Sequence, residues 1–571
     1  MTVTGGELIT RILGGQGVGT VFAVAGASHT RLLDPLDRSG VTIVSNRHES
    51  GAVGSADGYA RVTGGLGVAL IIADQGLPNA VGGLAVAWQA CSPVLVLVAS
   101  PPGPFAEADR AVDQDQLNLV SSISKWSRTV PSVERLEDYL QTAIKHARSG
   151  RPGPVVLLLP ENLLGESTEF VGDVERQVPS APVPSPASVD RLADMISGSQ
   201  RPMIITGAGA AWGNAGSSLQ VLARNFGIPI LANSLGRGQA PEDDERIFPW
   251  PYAQIAAPRA DLVVVVGARL TQRLGLGLPP RFSAQTRFVQ IDIEPSAFHR
   301  NRPVDLAIHA DAGVTLAALV GALKRRGTEP FDTGWLADAL RVRRKRIAQL
   351  QQSEEAEIHP LRLGAEVMAR MPRDAVYVGD GADIQNWMYG AIRIRRPRGF
   401  LDHYPMGAMG SGTALAVGAA AALKEEAGAA EVPPVVLVTG DGSMGFHPAE
   451  LHAASRARLR LIVIVGNDGA WGTELHGQRQ AIGRDINTDL GVLPYEKLAE
   501  VFGGSGTAVE DSTALVPALD QAFKNDGVTV VNVHIDPTAG KLLKTDEDVR
   551  MILFSDILEG QRDLLPLTPD I

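Results

Sequence analysis

The stretch VVLVTGDGSMGFHPAELHAASRARLRLIVIVGNDGAWG, residues 435–472, decides the fold class. It begins with VVLVTG, an apolar, β-branched run of the kind found in buried strands, and glycine ends that run. A tight glycine turn follows, then a helix from about Pro448, and LIVIVGN predicts the next buried strand. Strand, helix and strand in this order predict a βαβ unit of a parallel sheet. Because Asp441 and Asp468 follow the two strands, we expect both carboxylates on one rim of that sheet.

The residues at this rim suit a cation that holds a diphosphate. Glycine lets the chain turn so closely at Gly440-Asp441-Gly442 that backbone N–H groups can face an anion. Hard cations such as Mg²⁺ prefer oxygen ligands, and Asp441 and Asp468 offer carboxylate oxygens. The alternative is an ordinary βαβ unit with a polar turn.

The same stretch resembles the motif of thiamine-diphosphate enzymes, in which GDG is followed by an Asn-Asn or Asn-Asp pair after the next strand. The resemblance implies thiamine diphosphate and Mg²⁺ as cofactors. It places the metal on Asp441, on Asp468 and on the carbonyl oxygen of Ala470. It also implies cofactor contacts at Gly381, Gly407, Met409, Gly442, Ser443, Met444 and Asp468. Among these, Met409 matches the bulky apolar residue that lies beneath the V-shaped cofactor.

Alternating strand and helix patterns recur along the whole chain and predict an α/β protein. We expect three doubly wound domains with mainly parallel sheets, followed by a C-terminal arm. The predicted units are a pyrimidine-binding domain over residues 1–165, a central domain over 186–325, a diphosphate-binding domain over 355–540, and an arm or lid over 541–571. The charged helix around residues 339–357 is expected to be a solvated link into the third domain.

Composition excludes several classes of protein. A net charge of −11 argues against general nucleic-acid binding. No apolar run approaches the roughly 20 residues that span a bilayer, so we expect no membrane segment. The first residues lack the basic-then-apolar order of a signal peptide. The single cysteine, Cys91, excludes an internal disulfide framework and fits a reducing compartment, so we expect a cytoplasmic protein.

The resemblance extends to the first domain and to the acetolactate-synthase-like branch of these enzymes. VTIVSNRHESGAVGSADGYAR, residues 41–61, places Glu49 where that branch has its activating glutamate. The resemblance implies that Glu49 bonds N1′ of the aminopyrimidine and favours the tautomer that takes the proton from C2. The alternative is a helix-N-terminal acid that the helix dipole favours. The family builds each site across two chains, so the resemblance also implies a homodimer or homotetramer.

The resemblance divides between subfamilies when the reaction is considered. Residues 399–420 and 467–478 are most similar to benzaldehyde lyase, whereas residues 263–293 resemble 2-hydroxyacyl-CoA lyase and oxalyl-CoA decarboxylase. A basic cluster precedes the glycine-rich loop and consists of Arg393, Arg395, Arg396 and Arg398. In a chain of net charge −11, this cluster could hold the phosphates of CoA. The alternative is a solvated basic turn.

We therefore expect a thiamine-diphosphate-dependent lyase that cleaves a 2-hydroxyacyl-CoA into an aldehyde or ketone and formyl-CoA. One alternative is a benzaldehyde lyase- or acetolactate synthase-like carboligase or lyase on free 2-hydroxyketones or 2-oxoacids. The other is a non-enzymatic cofactor-binding subunit that only assembles or regulates. His403 is a candidate for the base that takes the hydroxyl proton, and His447 and His476 are alternatives. A carboxylate of the tail, Glu547 or Asp548, could serve if the tail closes over the site.

Two further regions bear on the substrate. Benzaldehyde lyase has an active-site histidine where Ser28 aligns, with His29 adjacent, and a loop glutamine where Ala111 aligns. These losses remove polar groups beside the reacting carbon and cast doubt on benzaldehyde lyase activity. In the central domain, GAGAAWG at residues 207–213 and Asp292 lie where oxalyl-CoA decarboxylase binds ADP, so ADP is a candidate second ligand. The glycines do not have the G-x-G-x-x-G spacing of a dinucleotide site.

Overall fold

Three parallel, six-stranded sheets organise the chain. The computed structural model describes residues 1–102, 105, 108, 115–170, 180–355 and 357–549. Both faces of a sheet are covered, because alternate residues of one strand enter different apolar cores. In the strand Val94–Ser100, for example, Val94, Val96 and Val98 belong to one core, and Leu95 and Leu97 to another. The predicted α/β class with doubly wound, mainly parallel sheets is confirmed.

The first sheet has the strand order β3-β2-β4-β5-β7-β6. Its strands and the short antiparallel pair β1 and β8 are β1 (Thr2–Thr4), β2 (Thr20–Ala23), β3 (Thr42–Ser45), β4 (Gly67–Ile71), β5 (Val94–Ser100), β6 (Trp126–Thr129), β7 (Val155–Pro160) and β8 (Ser167–Glu169). The helices are α1 (Gly5–Gly15), α2 (Thr30–Arg38), α3 (Glu49–Thr63), α4 (Gly76–Ala90), α5 (Gln116–Val120) and α6 (Leu136–Arg148). The strand order reverses between β2 and β4, which makes that point the topological switch of the sheet.

The second sheet has the order β11-β10-β9-β12-β13-β14. Its strands are β9 (Pro202–Thr206), β10 (Ile230–Ala232), β11 (Ile247–Phe248), β12 (Leu262–Val266), β13 (Arg287–Asp292) and β14 (Leu306–His309). Its helices are α7 (Pro186–Ser197), α8 (Ala208–Trp212), α9 (Gly216–Phe226), α10 (Ala253–Ala256) and α11 (Ala312–Arg325). This is the strand order of dinucleotide-binding folds, and the switch lies between β9 and β12.

The charged helix that follows is not a solvated link, contrary to the prediction. It forms α12 (Gly334–Gln351), and its buried residues include Leu336, Leu340, Arg343 and Ile347. These residues recur every three or four positions, so one stripe of the helix faces a core while the other charges stay in water. The guanidinium of Arg343 donates to the carbonyl oxygens of Pro251 and Val549. The prediction was wrong because the many charged residues of this segment outnumber the few that form its buried stripe.

The third sheet has the order β16-β15-β17-β18-β20-β19, which repeats the pattern of the first sheet. Its strands are β15 (Val376–Gly379), β16 (Phe400–Asp402), β17 (Val435–Gly440), β18 (Leu461–Asn467), β19 (Ser505–Val509) and β20 (Val528–His534). Its helices are α13 (Pro360–Arg370), α14 (Asp383–Ala391), α15 (Gly412–Ala427), α16 (Asp441–Met444), α17 (Glu450–Arg456), α18 (Gly472–Ile482), α19 (Glu496–Val501), α20 (Leu515–Ala522) and α21 (Leu542–Thr545). The switch lies between β15 and β17.

The described part of the tail lies against α12. Arg346 forms an ion pair with Asp546 at 2.9 Å, and Val549 is buried. Glu547 and Asp548, the two carboxylates suggested as substrate bases, are exposed. Residues 550–571, which make up most of the predicted arm or lid, lie outside the described residues. No helix among the described residues is long and apolar enough to cross a bilayer.

Candidate active site

The predicted metal rim is formed where β17 and β18 end side by side. The two strands are parallel neighbours, and Gly440 pairs with Gly466 in their register. Asp441 follows the first strand and is buried, while Asp468 follows the second and is half-buried. Burial raises the pKa of both carboxyl groups, and the Asp468 charge raises that of Asp441 further. Two such carboxylates side by side are stabilised in their charged form by a cation between them.

The turn after β17 differs from the predicted glycine turn. Residues 441–444 form one short helical turn, and α17 begins at Glu450, close to the predicted start at about Pro448. Ser443 is buried, and among the described residues its Oγ has no hydrogen-bond partner. A Cβ built on Gly381 would lie 3.3 Å from that Oγ, so the ends of β15 and β17 approach each other closely. Gly381 has φ +90°, a conformation that favours glycine.

Three of the other predicted cofactor and metal residues also lie at this edge. Met444 has its side chain fully buried in the core, so only its backbone can contact a ligand. Gly442 packs against Trp471, because a Cβ on Gly442 would lie 2.5 Å from the indole ring. Ala470 follows Asp468, whose Oδ1 accepts a hydrogen bond from the Ala470 N–H at 3.3 Å. Asp441 Oδ2 and Ser443 Oγ have no hydrogen-bond partner among the residues that the structure describes, and together with this packed turn they fit a metal-bound diphosphate.

A third carboxylate at the rim was not predicted. Asp383 begins α14, and burial together with the charge of Asp468 raises its pKa to about 7. Lys544 of α21 acts in the opposite direction and lowers the pKa of Asp383. The sequence offered only a weak signal for Asp383, namely its place three residues after Asp380 at the end of a predicted strand. Asp383 lies close to Asp468 because of the order of the strands in the third sheet, which the sequence does not reveal.

The predicted contacts Gly407 and Met409 lie in the cofactor loop, which we define as residues 403–411 between β16 and α15. The loop begins with a turn in which the Gly407 N–H donates to the carbonyl oxygen of His403 at 3.0 Å. Gly407 has φ +78° and Gly410 has φ +84°, so the loop uses glycine where other residues would be strained. Met409 is half-buried between these turns and α15. This placement suits a side chain that supports a ligand lying on the loop.

Glu49 is the first residue of α3 and is 5% exposed. Its Oε2 accepts a hydrogen bond from Asn79 Nδ2 at 3.1 Å. His48 caps the helix, because its Nδ1 accepts the N–H of Ser50 at 3.1 Å. The carboxylate of Glu49 is therefore held at a helix N-terminus, where the dipole favours negative charge. A nearly buried acid at the carboxyl end of a parallel strand suits proton exchange with a ring nitrogen.

Glu450 fixes the segment that leads into Glu49, and sequence reasoning missed it. Its Oε2 accepts from Asn46 Nδ2 at 2.8 Å, and its Oε1 accepts from the N–H groups of Arg47 and His48, each at 3.1 Å. The carboxyl group is 1% exposed, and burial raises its pKa above the usual value. The contact joins residues about 400 positions apart, which no local pattern in the sequence can reveal.

The three candidate histidines lie in three different surroundings. His403 is 1% exposed, and its Nδ1 lies 3.4 Å from Asp380 Oδ1. The ring of His447 lies 5.5 Å from that of His48. Burial lowers the pKa of His447, and the neighbouring His48 lowers it further. His476 is buried nearer to the metal rim: a Cβ on Gly540 would lie 2.7 Å from its Nε2 and from Asp383 Oδ1 alike. Of the three, only His403 begins the cofactor loop.

Ser28 and His29 lie after β2, at the switch point of the first sheet. Ser28 is half-buried, while His29 is 1% exposed. Among the described residues, neither ring nitrogen of His29 has a hydrogen-bond partner. Burial lowers the pKa of His29 to about 4, so the ring is neutral at physiological pH. Ala111, the position of the missing loop glutamine, lies outside the described residues.

The structure does not bring the four arginines of the basic cluster together. Ile392 and Ile394 are buried and alternate with the arginines, so successive side chains of this segment point in opposite directions. Arg393 donates to the carbonyl oxygens of Gly390 and Ile392, Arg395 to that of Met371, and Arg396 pairs with Glu426. Arg398 points elsewhere: it donates to the carbonyl oxygen of Ala211 at 2.8 Å and stacks on Trp212. Only Arg398 therefore approaches a cavity.

That cavity, of about 760 Å³, lies at the switch point of the second sheet. Residues 207–213 after β9 and residues 267–273 after β12 form its floor, and Asp292 lines it as well. Five arginines line the cavity: Arg148, Arg151, Arg269, Arg273 and Arg300. Tyr404 of the cofactor loop is also part of its wall. The glycine segment that lacks a dinucleotide spacing thus still lies where open α/β sheets bind ligands.

Comparison with known proteins gives the class to which the chain belongs. Three family models match: "Thiamine pyrophosphate enzyme, N-terminal TPP binding domain" at residues 3–122, "central domain" at 189–319, and "C-terminal TPP binding domain" at 380–533. The chain is 30% identical to the acetolactate synthase large subunit of Mycobacterium tuberculosis, with 94% of this chain and 96% of the relative covered.

Other relatives carry different names. The chain is 27% identical to 2-hydroxyacyl-CoA lyase of Arabidopsis thaliana, covering 94% of this chain and 96% of the relative. It is 28% identical to oxalyl-CoA decarboxylase of Escherichia coli, covering 94% and 95% respectively. A crystal structure of benzoylformate decarboxylase from Polynucleobacter necessarius matches with a TM-score of 0.79 at 21% identity, covering 94% of this chain and 99% of that one, and supports the fold.

The chain belongs to the thiamine pyrophosphate enzyme family. It is a thiamine-diphosphate-dependent enzyme, and Mg²⁺ is the usual metal partner in this family, so the predicted pair of cofactors is confirmed. Members of the family are typically oligomers with active sites at subunit interfaces. The relatives include a synthase, a lyase and a decarboxylase, so family membership leaves the reaction open.

The buried His29 predicts how stability depends on pH. The unfolded chain binds a proton at this histidine below about pH 6.5, whereas the native state binds one only near pH 4. Stability should therefore fall as the pH is lowered from 6.5 to 4, by roughly 3 kcal/mol from this group. We expect His29→Gln to flatten the pH dependence of the unfolding midpoint in this window. His309→Gln, at an exposed position, is the control, and equal slopes in all three proteins would refute the prediction.

Proposed function

We propose that this enzyme cleaves the bond between C1 and C2 of a 2-hydroxyacyl-CoA and releases an aldehyde or ketone and formyl-CoA. The arginine-lined cavity next to the cofactor loop carries the proposal, because it offers cationic side chains for a polyphosphate within the same molecule as the cofactor site. Similarity over 94% of the chain to proteins named 2-hydroxyacyl-CoA lyase and oxalyl-CoA decarboxylase supports it. The proposal does not rely on Arg393, Arg395 and Arg396, because these side chains bond to main-chain carbonyl oxygens or to Glu426.

The cofactor site can be assigned residue by residue. Bound thiamine diphosphate supplies an electron sink for the carbon–carbon bond that breaks. We propose that Asp441, Asp468 and the carbonyl oxygen of Ala470 hold Mg²⁺, and that Ser443 and Gly442 contact the diphosphate. Glu49 shares a proton with the aminopyrimidine nitrogen N1′. A nearly buried carboxylate suits this task, because little water competes for that proton.

His403 is the residue we propose as base towards the substrate. It takes the proton of the 2-hydroxyl group, the C1–C2 bond breaks, and the 2-carbon leaves as a carbonyl. A proton is returned to the former C1, which leaves as formyl-CoA, so atoms and charge balance without an oxidant. His403 is preferred over His476 because it begins the cofactor loop that holds Met409. Ser28 and the neutral His29 lie after β2 at the switch point of the first sheet, and we propose that they face the substrate.

The cavity is proposed to take an adenosine-diphosphate group. Both free ADP and CoA contain this group, and its phosphates match Arg151, Arg269 and Arg300. Arg398 stacks on Trp212 of the cavity wall, and burial lowers its pKa only to about 10, so it stays charged. A switch-point crevice in a sheet of this strand order is where such ligands bind. Free ADP and the CoA of the substrate can be distinguished, because only loss of CoA binding should raise KM for the thioester.

The first test is an assay of the enzyme with thiamine diphosphate and Mg²⁺. A panel of straight and branched 2-hydroxyacyl-CoA thioesters is supplied, and formyl-CoA is followed by mass spectrometry. We expect formyl-CoA together with one equivalent of the matching carbonyl product. Glu49→Gln should lower turnover roughly 100-fold or more, because the exchange of a proton with N1′ is lost. Absence of formyl-CoA from every thioester would refute the lyase proposal.

The second test separates a CoA site from an ADP site. Arg300→Met removes a cavity arginine, and Arg396→Met, which pairs with Glu426 outside the cavity, is the matched control. If CoA binds in the cavity, KM for the thioester should rise about tenfold in R300M alone, the effect expected from one lost charge-assisted contact. If ADP binds there instead, R300M should weaken ADP in calorimetry and leave that KM unchanged. If R300M and R396M alter neither constant, the cavity assignment is wrong.

A second candidate is a carboligase or lyase on free 2-oxoacids or 2-hydroxyketones. The acetolactate synthase relative at 30% identity favours it, since that relative is the most similar of the three named above. Formation of acetolactate from pyruvate, or cleavage of benzoin, with no thioester cleavage would support this alternative. A homodimer or homotetramer fits either reaction, because the family typically builds its sites between subunits.

Glu450 should matter for catalysis although it lies outside the predicted motifs. Glu450→Ala leaves the donors of Asn46, Arg47 and His48 unpaired and frees the segment that positions Glu49. We expect kcat to fall roughly 10- to 100-fold at saturating cofactor, because a misplaced proton-transfer group is slow. Glu431→Ala, on the surface, is the control. Unchanged kcat in a folded E450A protein would show that the Glu49 segment is positioned by other contacts.

A further inference from the structure

Asp380 is a buried carboxylate that the assigned site does not use. It follows β15 directly and is 1% exposed. Its Oδ1 accepts the N–H of Gly381 at 2.7 Å and that of Gly410 at 3.2 Å, and its Oδ2 accepts the N–H of Gly412 at 2.7 Å. Three backbone donors therefore converge on one anion. Hydrogen bonds to an ionised acceptor are stronger than neutral ones, so these contacts are well suited to hold a loop in place.

The donors belong to the two segments that we assign to the cofactor. Gly381 follows β15, while Gly410 and Gly412 flank the end of the cofactor loop, immediately after Met409. The approach is so close that a Cβ on Gly412 would lie 2.5 Å from the Cβ of Asp380. Glycine at this position is thus required by the contact with Asp380. By binding the backbone next to Met409, the Asp380 carboxylate constrains the position of Met409 relative to the ends of the neighbouring strands.

The same carboxylate touches the other end of the loop. His403 Nδ1 lies 3.4 Å from Asp380 Oδ1, and both side chains are buried. A negative charge beside Nδ1 favours the tautomer with a proton on that nitrogen, which leaves Nε2 as the acceptor. Asp380 also acts at a distance on His447, where its charge opposes the lowering of that pKa. One anion therefore contacts the first residue of the cofactor loop and the backbone on either side of its last residue.

We propose that Asp380 is a positioning residue that fixes the cofactor loop, and with it Met409 and His403, in the geometry that activates thiamine diphosphate. The inference rests on cofactor binding and is independent of the acyl-CoA substrate. A carboxylate is needed because all of its acceptor positions face donors. An asparagine would turn an NH₂ group towards at least one of the three N–H groups. If Met409 shifted, it would no longer support bound thiamine diphosphate, and removal of the C2 proton would slow.

The test compares Asp380→Asn with Asp374→Asn, an exposed aspartate before the other end of the same strand. In the cofactor-free protein, amide hydrogen exchange is measured on the peptide covering residues 405–412. We expect exchange there to be about tenfold faster in D380N alone, because its anchoring bonds are weakened. With saturating thiamine diphosphate and Mg²⁺, exchange of the C2 proton for deuterium is followed by NMR, and we expect it to slow roughly tenfold or more.

Both rates must change for the proposal to stand. If D380N alters only the unfolding midpoint or the affinity for the cofactor, while loop exchange and C2 exchange match the parent, Asp380 is a structural residue and the proposal is wrong. If the loop loosens but C2 exchange is unaffected, the loop does not position the cofactor and the proposal is likewise overturned. Should D380N not fold, Gly412→Ala disturbs the same contact from the loop side and is judged by the same two rates. Neither measurement uses a substrate.

Discussion

The alignment of parallel strand ends at one edge of each sheet is the constraint on which the site depends. In the third sheet it places Asp380, Asp441 and Asp468 at the ends of β15, β17 and β18, where the connections turn back over the sheet. The order of the strands makes this edge a crevice, because the connections on either side of the switch point leave in opposite directions. Carboxylates that would repel one another elsewhere are stabilised here by backbone donors and by a place for a cation.

Features of the fold and the site were predictable from the sequence when the residues that form them lie close together in the chain. The βαβ unit of residues 435–472 was predictable, because strand, helix and site residues lie within one short stretch and each has its own pattern. The strands Val435–Gly440 and Leu461–Asn467 match the predicted runs. Glu49 could be singled out only together with the family motif, because an acid at a helix N-terminus is common. The helical turn at residues 441–444 was missed, since glycine and aspartate favour turns locally while the packing of Ser443 and Met444 decides.

The features that sequence reasoning missed are contacts between distant segments. Glu450 meets Asn46 and Asp380 meets Gly410 through the tertiary arrangement alone. The four arginines of the basic cluster are close in sequence but do not share one surface, because the backbone turns their side chains in different directions. Buried isoleucines between them, and an ion pair of Arg237 with Glu242 that ties the segment to the second sheet, turn them apart. Proximity in sequence was the wrong measure of proximity in space.

Residues 402–404 show why the site belongs to the whole chain rather than to its motif. Arg61, held in a buried pair with Asp57 on α3, donates to the carbonyl oxygen of Asp402 at 2.8 Å. Arg273 lies 3.5 Å from the ring of Tyr404 and bonds Tyr389, whose hydroxyl donates to the Asp402 carboxylate. Arg61 on α3, Arg273 in the segment after β12 and Tyr389 on α14 thus hold the backbone from which His403 and the cofactor loop depart. The loop cannot shift without disturbing contacts in all three, and Arg273 makes its contact from the wall of the arginine-lined cavity.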